Sequence, residues 1–301
     1  MSTDLFATVL DCNGRPLMLD RPRVVGIVNV TPDSFSDGGQ FADTDAAVKH
    51  GLRLAEEGAD MLDIGGESTR PGASDVSVED ELKRVIPVIE QLAARTSLPI
   101  AIDTSKPEVM RAAVAAGAGM INDIYALRRD GALDAAAELR VPVCLMHVQG
   151  EPRTMQDAPH YDDVVGEVHR FLTDRLFACE LAGIDRRKVM VDPGFGFGKD
   201  LEHNLALLRR LERFSGLGSG IYAGLSRKSM IGTLTGRKHP AERDAGSVAA
   251  ALIAVQRGAQ MVRVHDVAAT VDALKVWHAV QSGDKPDRRD EPKMPRWPDD
   301  D

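Results

Sequence analysis

Short apolar runs alternate with longer amphipathic stretches along most of the chain. Eight runs are rich in Val, Ile, Leu or Met, and their length is typical of strands that are buried on both faces. They are Val24–Val30, Asp60–Ile64, Pro99–Asp103, Gly119–Asn122, Pro142–His147, Lys188–Asp192, Ile221–Ser226 and Gln260–His265. The stretches with helical periodicity are Asp45–Glu57, Val78–Ala94, Pro107–Ala116, Ala132–Leu139, Asp162–Ala182, Leu201–Phe214, Glu242–Arg257 and Ala268–Gln281.

Strict alternation of eight strand and helix pairs predicts a closed (β/α)8 TIM barrel of the α/β class, with a doubly wound open sheet as the alternative. Ahead of the first pair, Asn13-Gly14 lies between two apolar runs, which predicts a β-hairpin that covers the barrel floor. We therefore expect a single domain over residues 1–282. The remaining residues, 283–301, are Pro-rich and charged, and we expect them to be disordered.

The net charge, the cysteines and the hydropathy of the chain limit the kind of partner and the cellular compartment that we expect. The length of 301 residues suits one barrel, and the net charge of −9 argues against a nucleic-acid partner. Three widely spaced cysteines form no CxxC pair, which predicts a reducing compartment. The chain shows neither a signal-peptide pattern nor an apolar run of membrane-spanning length, so we expect a cytoplasmic protein with no membrane partner.

Polar residues end seven of the eight predicted strands, which is where the chemistry of such a barrel collects. They are Asn29, Asp63, Asp103, Asn122, Asp192, the run Ser226-Arg227-Lys228-Ser229, and Arg263 with His265. Arg263 and His265 are two residues apart, so both face the same side of the last strand. The loop after the sixth strand contains Gly-x-Gly-x-Gly, which is weak evidence for phosphate binding because its spacing is not GxGxxG.

Eight motifs, one in each strand and helix pair, together resemble the dihydropteroate synthase family. They are NVTPDSFSDGG, DIGGESTRPGA, AIDTSKP, IND, MHVQG, VDPGFGFGK, GLSRKSMIG and VRVHDV, and the match runs roughly from Val24 to Val280. The resemblance implies a transferase of folate biosynthesis that condenses 6-hydroxymethyl-7,8-dihydropterin diphosphate with 4-aminobenzoate to give 7,8-dihydropteroate and diphosphate. It also implies a homodimer and a target of sulfonamides.

The same resemblance implies a role for individual residues. The carboxylate of Asp192 would accept the paired donors of the pterin. The other residues of the pterin site would be Asp103, Asn122, Met146 and Lys228. Arg263 and His265 would clamp the diphosphate, and Asn29 resembles the family's ligand for Mg²⁺, an ion that prefers oxygen. The aminobenzoate site would be formed by Phe35, Thr69, Arg70, Pro71, Phe197 and Ser229.

We expect the reaction to be dissociative. The carbon–oxygen bond would ionise while Mg²⁺, Arg263 and His265 hold the diphosphate, and the amine would then attack. Asp37 would stabilise the cation. The catalytic residues would therefore be Asp37, Lys228, Arg263 and His265. Zinc is not expected, because the sequence has no HExxH motif and no cluster of Cys and His.

Other interpretations stay open at this point. Methyltransferase domains that bind methyltetrahydrofolate share the pterin-binding barrel, but Lys228-Ser229 and the Thr-Arg-Pro of the second loop are not expected of them. A non-catalytic pterin binder is a third possibility. At the level of single residues, Asp192 could cap a helix, and His265 could be an ordinary core histidine.

Overall fold

Eight parallel strands close into a barrel in the computed structural model, which describes residues 8–31, 39–68, 75–150, 155–218 and 220–283. The strands are β3 (Arg23–Asn29), β4 (Met61–Gly65), β5 (Ile100–Asp103), β6 (Met120–Asp123), β7 (Val143–Met146), β8 (Val189–Asp192), β9 (Gly220–Ala223) and β10 (Ala259–Val264). Their order around the barrel is β10-β3-β4-β5-β6-β7-β8-β9. The predicted TIM barrel is thus confirmed, and the alternative of an open sheet is wrong.

The predicted N-terminal hairpin is present and closes one end of the barrel. Strands β1 (Val9–Cys12) and β2 (Arg15–Met18) pair antiparallel. The two turn residues, Asn13 and Gly14, have φ angles of 56° and 79°, as a tight hairpin turn requires. Apolar side chains of the hairpin, Leu10, Cys12 and Leu17, are buried in one cluster with side chains from inside the barrel. The hairpin is therefore the floor.

The helices surround the barrel close to where periodicity placed them. They are α1 (Gly39–Glu56), α2 (Val78–Arg95), α3 (Pro107–Ala115), α4 (Ala132–Leu139), α5 (Val164–Leu181), α6 (Leu201–Arg209), α7 (Ser229–Thr235), α8 (Asp244–Gln256) and α9 (Val267–Ser282). Three details differ from the prediction. Helix α1 begins at Gly39 rather than at Asp45. The helix predicted over Leu201–Phe214 stops at Arg209 and resumes as a 3-10 turn, and the short helix α7 was not among the predicted helices.

Alternation along each strand divides the barrel interior into two layers. The lower layer is mostly apolar and packs on the hairpin; it consists of Val25, Met61, Ala101, Met120, Cys144, Met190, Tyr222 and Met261. Residues two positions further on point to the same side of a strand. On five strands those residues are polar, namely Asp63, Asp103, Asn122, Asp192 and Arg263. The upper layer, at the carboxyl ends of the strands, is thus the polar mouth of the barrel.

Two predictions about the chain as a whole fare differently. Within the described ranges no helix is both long and apolar enough to cross a membrane. The tail from residue 284 onward lies outside the described residues, so the domain boundary at residue 282 stays a prediction.

Candidate active site

Arg263 lies at the centre of the mouth and is held by two carboxylates. Its Nε donates to Asp63 Oδ2, and its Nη2 donates to Asp103 Oδ2 at 2.8 Å. Asp63 has no exposed surface and also accepts a hydrogen bond from Asn122 Nδ2 at 3.1 Å. Burial works against the charge of Arg263, but the carboxylates of Asp63 and Asp103 raise its pKa further above the ordinary value. Four strands, β4, β5, β6 and β10, are joined by this network.

Asp192 ends β8 beside the same network. One of its oxygens, Oδ1, accepts the backbone N–H of Gly194 at 2.7 Å and so closes a local turn. Asp192 does not cap a helix, because the next helix, α6, begins at Leu201 and has Asp200 as its N-cap. The other, Oδ2, lies 3.9 Å from the point where a Cβ on Gly224 would stand, and Arg263 Cβ lies 4.0 Å from that point. Gly224 thus leaves space between the two side chains. Burial raises the pKa of Asp192 to about 6, although Lys228 lowers it.

Lys228 reaches back to the loop that follows β8. Its ammonium donates to the carbonyl of Phe195 and lies 4.2 Å from the centre of the Phe197 ring. Gly196 has a φ of 78°, and a Cβ there would come within 3.0 Å of Lys228 Cδ, so glycine makes this approach possible. Burial lowers the pKa of Lys228 to about 8, although Asp192 raises it. Lys228, Phe197 and Asp192 therefore share one edge of the mouth.

His265 is oriented by Ser226, which lies just beyond the end of the neighbouring strand β9. The hydroxyl of Ser226 accepts the backbone N–H of His265 at 3.2 Å and lies 2.9 Å from its Nδ1. Because the hydroxyl oxygen already accepts that backbone proton, its own proton can be donated to Nδ1. The neutral ring would then carry its proton on Nε2. His265 is partly exposed, so the interpretation as an enclosed core histidine is not supported.

The other predicted site residues fall into two groups. Asn29 Oδ1 and Asp103 Oδ2 lie 3.8 Å and 3.7 Å from the point where a Cβ on Gly65 would stand, so two oxygens border that glycine. Met146 is buried beside Phe197, and Ser229 is exposed as the first residue of α7. Five predicted residues lie outside the described residues: Phe35, Asp37, Thr69, Arg70 and Pro71.

Two further groups of charged side chains near the mouth were not predicted. Lys106 binds Glu67 at 2.6 Å and Glu81 at 2.5 Å, and these three residues connect the segment after β4, helix α2 and the segment after β5. Lys199 is buried against His147, with Nζ 2.9 Å from Nδ1. Asp63 could have been found, because it was among the polar strand ends. The two lysines gave no such signal, since neither ends a predicted strand and their side-chain partners lie on other elements.

Comparison with known proteins decides the family. The chain matches the family of pterin binding enzymes over residues 25–265. It is 54% identical over 273 residues to the dihydropteroate synthase of Escherichia coli, an alignment that covers 91% of this chain and 96% of that protein. The chain belongs to the dihydropteroate synthase family. The predicted family and its transferase activity are thereby confirmed, and the methyltransferase alternative is not supported.

Solved structures of dihydropteroate synthases agree with this assignment. The Xanthomonas albilineans enzyme with 4-aminobenzoic acid is 68% identical, with a TM-score of 0.88, and the match covers 92% of this chain and 99% of that one. The same enzyme in complex with 7,8-dihydropteroate gives 66% identity and a TM-score of 0.84 over 91% and 99% of the two chains. The Yersinia pestis enzyme with a sulfonamide drug complex is 49% identical, with a TM-score of 0.87 over 91% and 99%.

Proposed function

We propose that this dihydropteroate synthase binds its two substrates, a pterin diphosphate and 4-aminobenzoate, at the carboxyl ends of β8, β9 and β10. The observation that carries the proposal is the convergence of Asp192, Lys228 and Arg263 at one mouth, where opposite charges surround a gap left by Gly224. The relatives that hold 4-aminobenzoic acid and dihydropteroate support the choice of ligands.

The pterin binds along the edge formed by Asp192, Lys228 and Asn122. A pterin presents neighbouring donors, which a carboxylate can accept as a fork. Burial of Asp192 removes competing water, so these hydrogen bonds are stronger than at the surface. Met146 supplies an apolar wall, and Asp103, which is tied to Arg263, borders the other side.

The diphosphate binds at Arg263 and His265, the cationic and hydrogen-bonding groups at the end of β10 and just beyond it. Asn29 Oδ1 and the neighbouring carboxylate oxygen of Asp103 are ligands of the type that Mg²⁺ prefers. These two oxygens fit Mg²⁺, and phosphate oxygens and water would complete the coordination of the ion. Bound Mg²⁺ would neutralise charge on the diphosphate as it leaves.

The aminobenzoate binds between Phe197 and Ser229. The Phe197 ring lies under the Lys228 ammonium, so one residue would serve both ligand sites. The hydroxyl of Ser229, exposed at the start of α7, would donate to the carboxylate of the substrate. Phe35, Thr69, Arg70 and Pro71 keep the roles that the family resemblance implies, and sulfonamides would compete at this site.

The chemistry at the mouth is a substitution at the pterin methylene carbon. The bond from that carbon to the diphosphate oxygen breaks first, and the electron pair leaves with the diphosphate. Arg263 holds the departing charge and His265 donates from Nε2, while Asp37 stabilises the cation. The amine of aminobenzoate then forms the carbon–nitrogen bond and loses a proton to water.

A diphosphate-release assay tests this function. Full activity is expected only with both substrates and Mg²⁺ present. Asp192→Asn should abolish binding of a pterin without the diphosphate, measured by calorimetry, whereas Arg263→Ala should retain this binding and lose turnover. Binding of the pterin without formation of dihydropteroate by the wild-type chain would instead indicate a non-catalytic pterin binder.

We also propose that the chain forms a homodimer through α7, α8 and α9. Exposed apolar side chains lie on these neighbouring helices, namely Leu234, Ile253, Val276 and Val280. Analytical ultracentrifugation should show a dimer that Ile253→Asp dissociates. The matched change Phe177→Asp, at an exposed apolar residue on α5, should leave it intact.

A further inference from the structure

Lys199 is a buried lysine near the mouth to which no role has been assigned so far. Only 2% of its surface is exposed. Its ammonium lies 2.9 Å from His147 Nδ1 and donates to the carbonyls of Phe197 at 2.9 Å, Gly194 at 3.0 Å and His147 at 3.4 Å. It therefore joins the segment after β8 to the segment after β7.

The surroundings of this nitrogen select the charged form of the side chain. Four acceptors face it, and an ammonium offers three hydrogens and no lone pair, whereas a neutral amine would turn its lone pair toward an oxygen. Burial lowers the pKa of Lys199 well below its ordinary value, and the charge of Asp192 raises it. Burial and the neighbouring Lys199 lower the pKa of His147 to about 2, so its ring is neutral, and Nδ1 accepts in the tautomer that carries the proton on Nε2.

The carbonyls held by Lys199 belong to residues that contact the pterin site. Gly194 accepts from Lys199 through its oxygen, and its N–H donates to Asp192 Oδ1. Phe197 accepts from Lys199 through its oxygen, and its ring lies under the Lys228 ammonium. One buried charge thus fixes the backbone on which both Asp192 and Lys228 depend.

We propose that Lys199 is a positioning residue of the dihydropteroate synthase reaction, because its buried ammonium fixes the segment 193–199 so that this segment holds Lys228 beside Asp192. The inference rests on the proposed roles of Asp192 and Lys228 in pterin binding. Lys199 itself need not touch the pterin. Its effect reaches the substrate through the Gly194 N–H and the Phe197 ring.

The first test compares Lys199→Met with a matched control at the other end of the same strand. Lys188 precedes β8 and its ammonium also donates to a backbone carbonyl, that of Arg140, at 2.7 Å. We expect Lys199→Met to weaken binding of the pterin diphosphate, measured by calorimetry without aminobenzoate, by about tenfold or more, because small displacements of positioning groups are costly. Lys188→Met should change the affinity less than about twofold, since it lies far from the mouth.

The pH dependence of pterin binding provides a readout that a purely structural role would not move. The charged side chains that influence the Asp192 carboxyl are Lys228, Lys199 and Arg263, and the Gly194 N–H donates to it. Lys199 lowers the pKa of Asp192 directly by its charge, and indirectly by holding Gly194. Both effects are lost in Lys199→Met, so the pKa of Asp192 should rise. The acid limit of pterin binding, which is the pH below which the pterin no longer binds, should rise with it. The profile of Lys188→Met should coincide with that of the wild type.

Two more variants keep the proposal open to refutation. Lys199→Gln retains hydrogen-bond donors without the charge, so it should fold more readily, shift the acid limit and weaken binding less than Lys199→Met. A wild-type pH profile and affinity in both Lys199 variants would overturn the positioning role. Lys228→Met tests the proposed function separately: if it leaves pterin binding unchanged, the role of Lys228 is wrong, whatever Lys199 does.

Discussion

Removing Arg263 should affect both the rate and the stability, for different reasons. The Arg263 side chain is 19% exposed, and its partner Asp63 is fully buried. In Arg263→Ala, Asp63 would keep only the amide of Asn122 as a described hydrogen-bond partner. A buried carboxylate without its cation is strongly unfavourable, so the variant should lose stability even in the absence of substrate.

The two magnitudes follow from the position of the guanidinium. Breaking a buried pair by removing one partner costs about 3–5 kcal/mol of unfolding free energy. Loss of one preorganised group that stabilises the departing charge should lower kcat by about 10²–10³-fold. The double variant Arg263→Ala/Asp63→Asn should recover part of the stability but none of the activity, since the fully buried carboxylate is removed and only Asp103, whose side chain is 16% exposed, is left without its cation.

Urea unfolding and diphosphate release measure the two effects on the same preparations. Arg23→Ala is the control, because Arg23, the first residue of β3 at the floor end of the barrel, pairs with the partly buried Asp60 at 2.9 Å. It should lower stability and leave kcat within about twofold, since it is remote from the departing charge. Turnover by Arg263→Ala within a few-fold of wild type would refute the assignment of Arg263, and recovery of activity in the double variant would refute the separation of the two effects.

Three further predictions concern ionisation, packing and thiols. Burial raises the pKa of Asp192 to about 6 and lowers the pKa of Lys228 to about 8. The affinity for the pterin should therefore decrease below the pKa of Asp192, where the carboxylate is protonated, and above the pKa of Lys228, where the ammonium is deprotonated. Calorimetry across pH 5 to 9 checks both limits. Gly194→Ala should lower the free energy of unfolding in urea by more than about 2 kcal/mol, because the new Cβ would lie 1.9 Å from the carbonyl oxygen of His147. The control is Gly14→Ala, where φ is similar and the new Cβ would meet no atom within 4 Å, and it should cost about 1 kcal/mol. All three cysteines are buried, so iodoacetamide should label them only after unfolding; rapid labelling of the native protein would contradict the described core.

The sequence was sufficient for those features that depend on local periodicity. Short apolar runs located the barrel strands, because the strands of a closed parallel barrel are buried on both faces. The polar residues that end these runs, including Asp103 and Asp192, located the upper layer, because the carboxyl ends of the strands meet at one mouth. Asn13-Gly14 predicted the hairpin for a similarly local reason, since its backbone angles suit few other residues.

Contacts between distant elements could not be predicted in this way. Arg263 and Asp63 are 200 residues apart, and only barrel closure places them side by side. Lys199 is buried because the segment after β8 folds over His147. No periodic pattern in the sequence predicts this fold of the segment. The end of α6 at Arg209 was missed because the apolar spacing continues through the 3-10 turn that follows.

The hairpin floor has a consequence for the electrostatics of the mouth above it. The backbone of Cys12 packs directly on Gly119, the residue before β6, since a Cβ there would lie 2.2 Å from the Cys12 carbonyl oxygen. The methionine-rich layer between hairpin and mouth is buried and apolar, and therefore forms a region of low dielectric constant beneath the mouth. Charges placed on one side of such a region attract each other more strongly than they would with water beneath them. The N-terminal hairpin does not contribute a residue to the mouth, yet by excluding water from the floor it strengthens the electric field at the mouth.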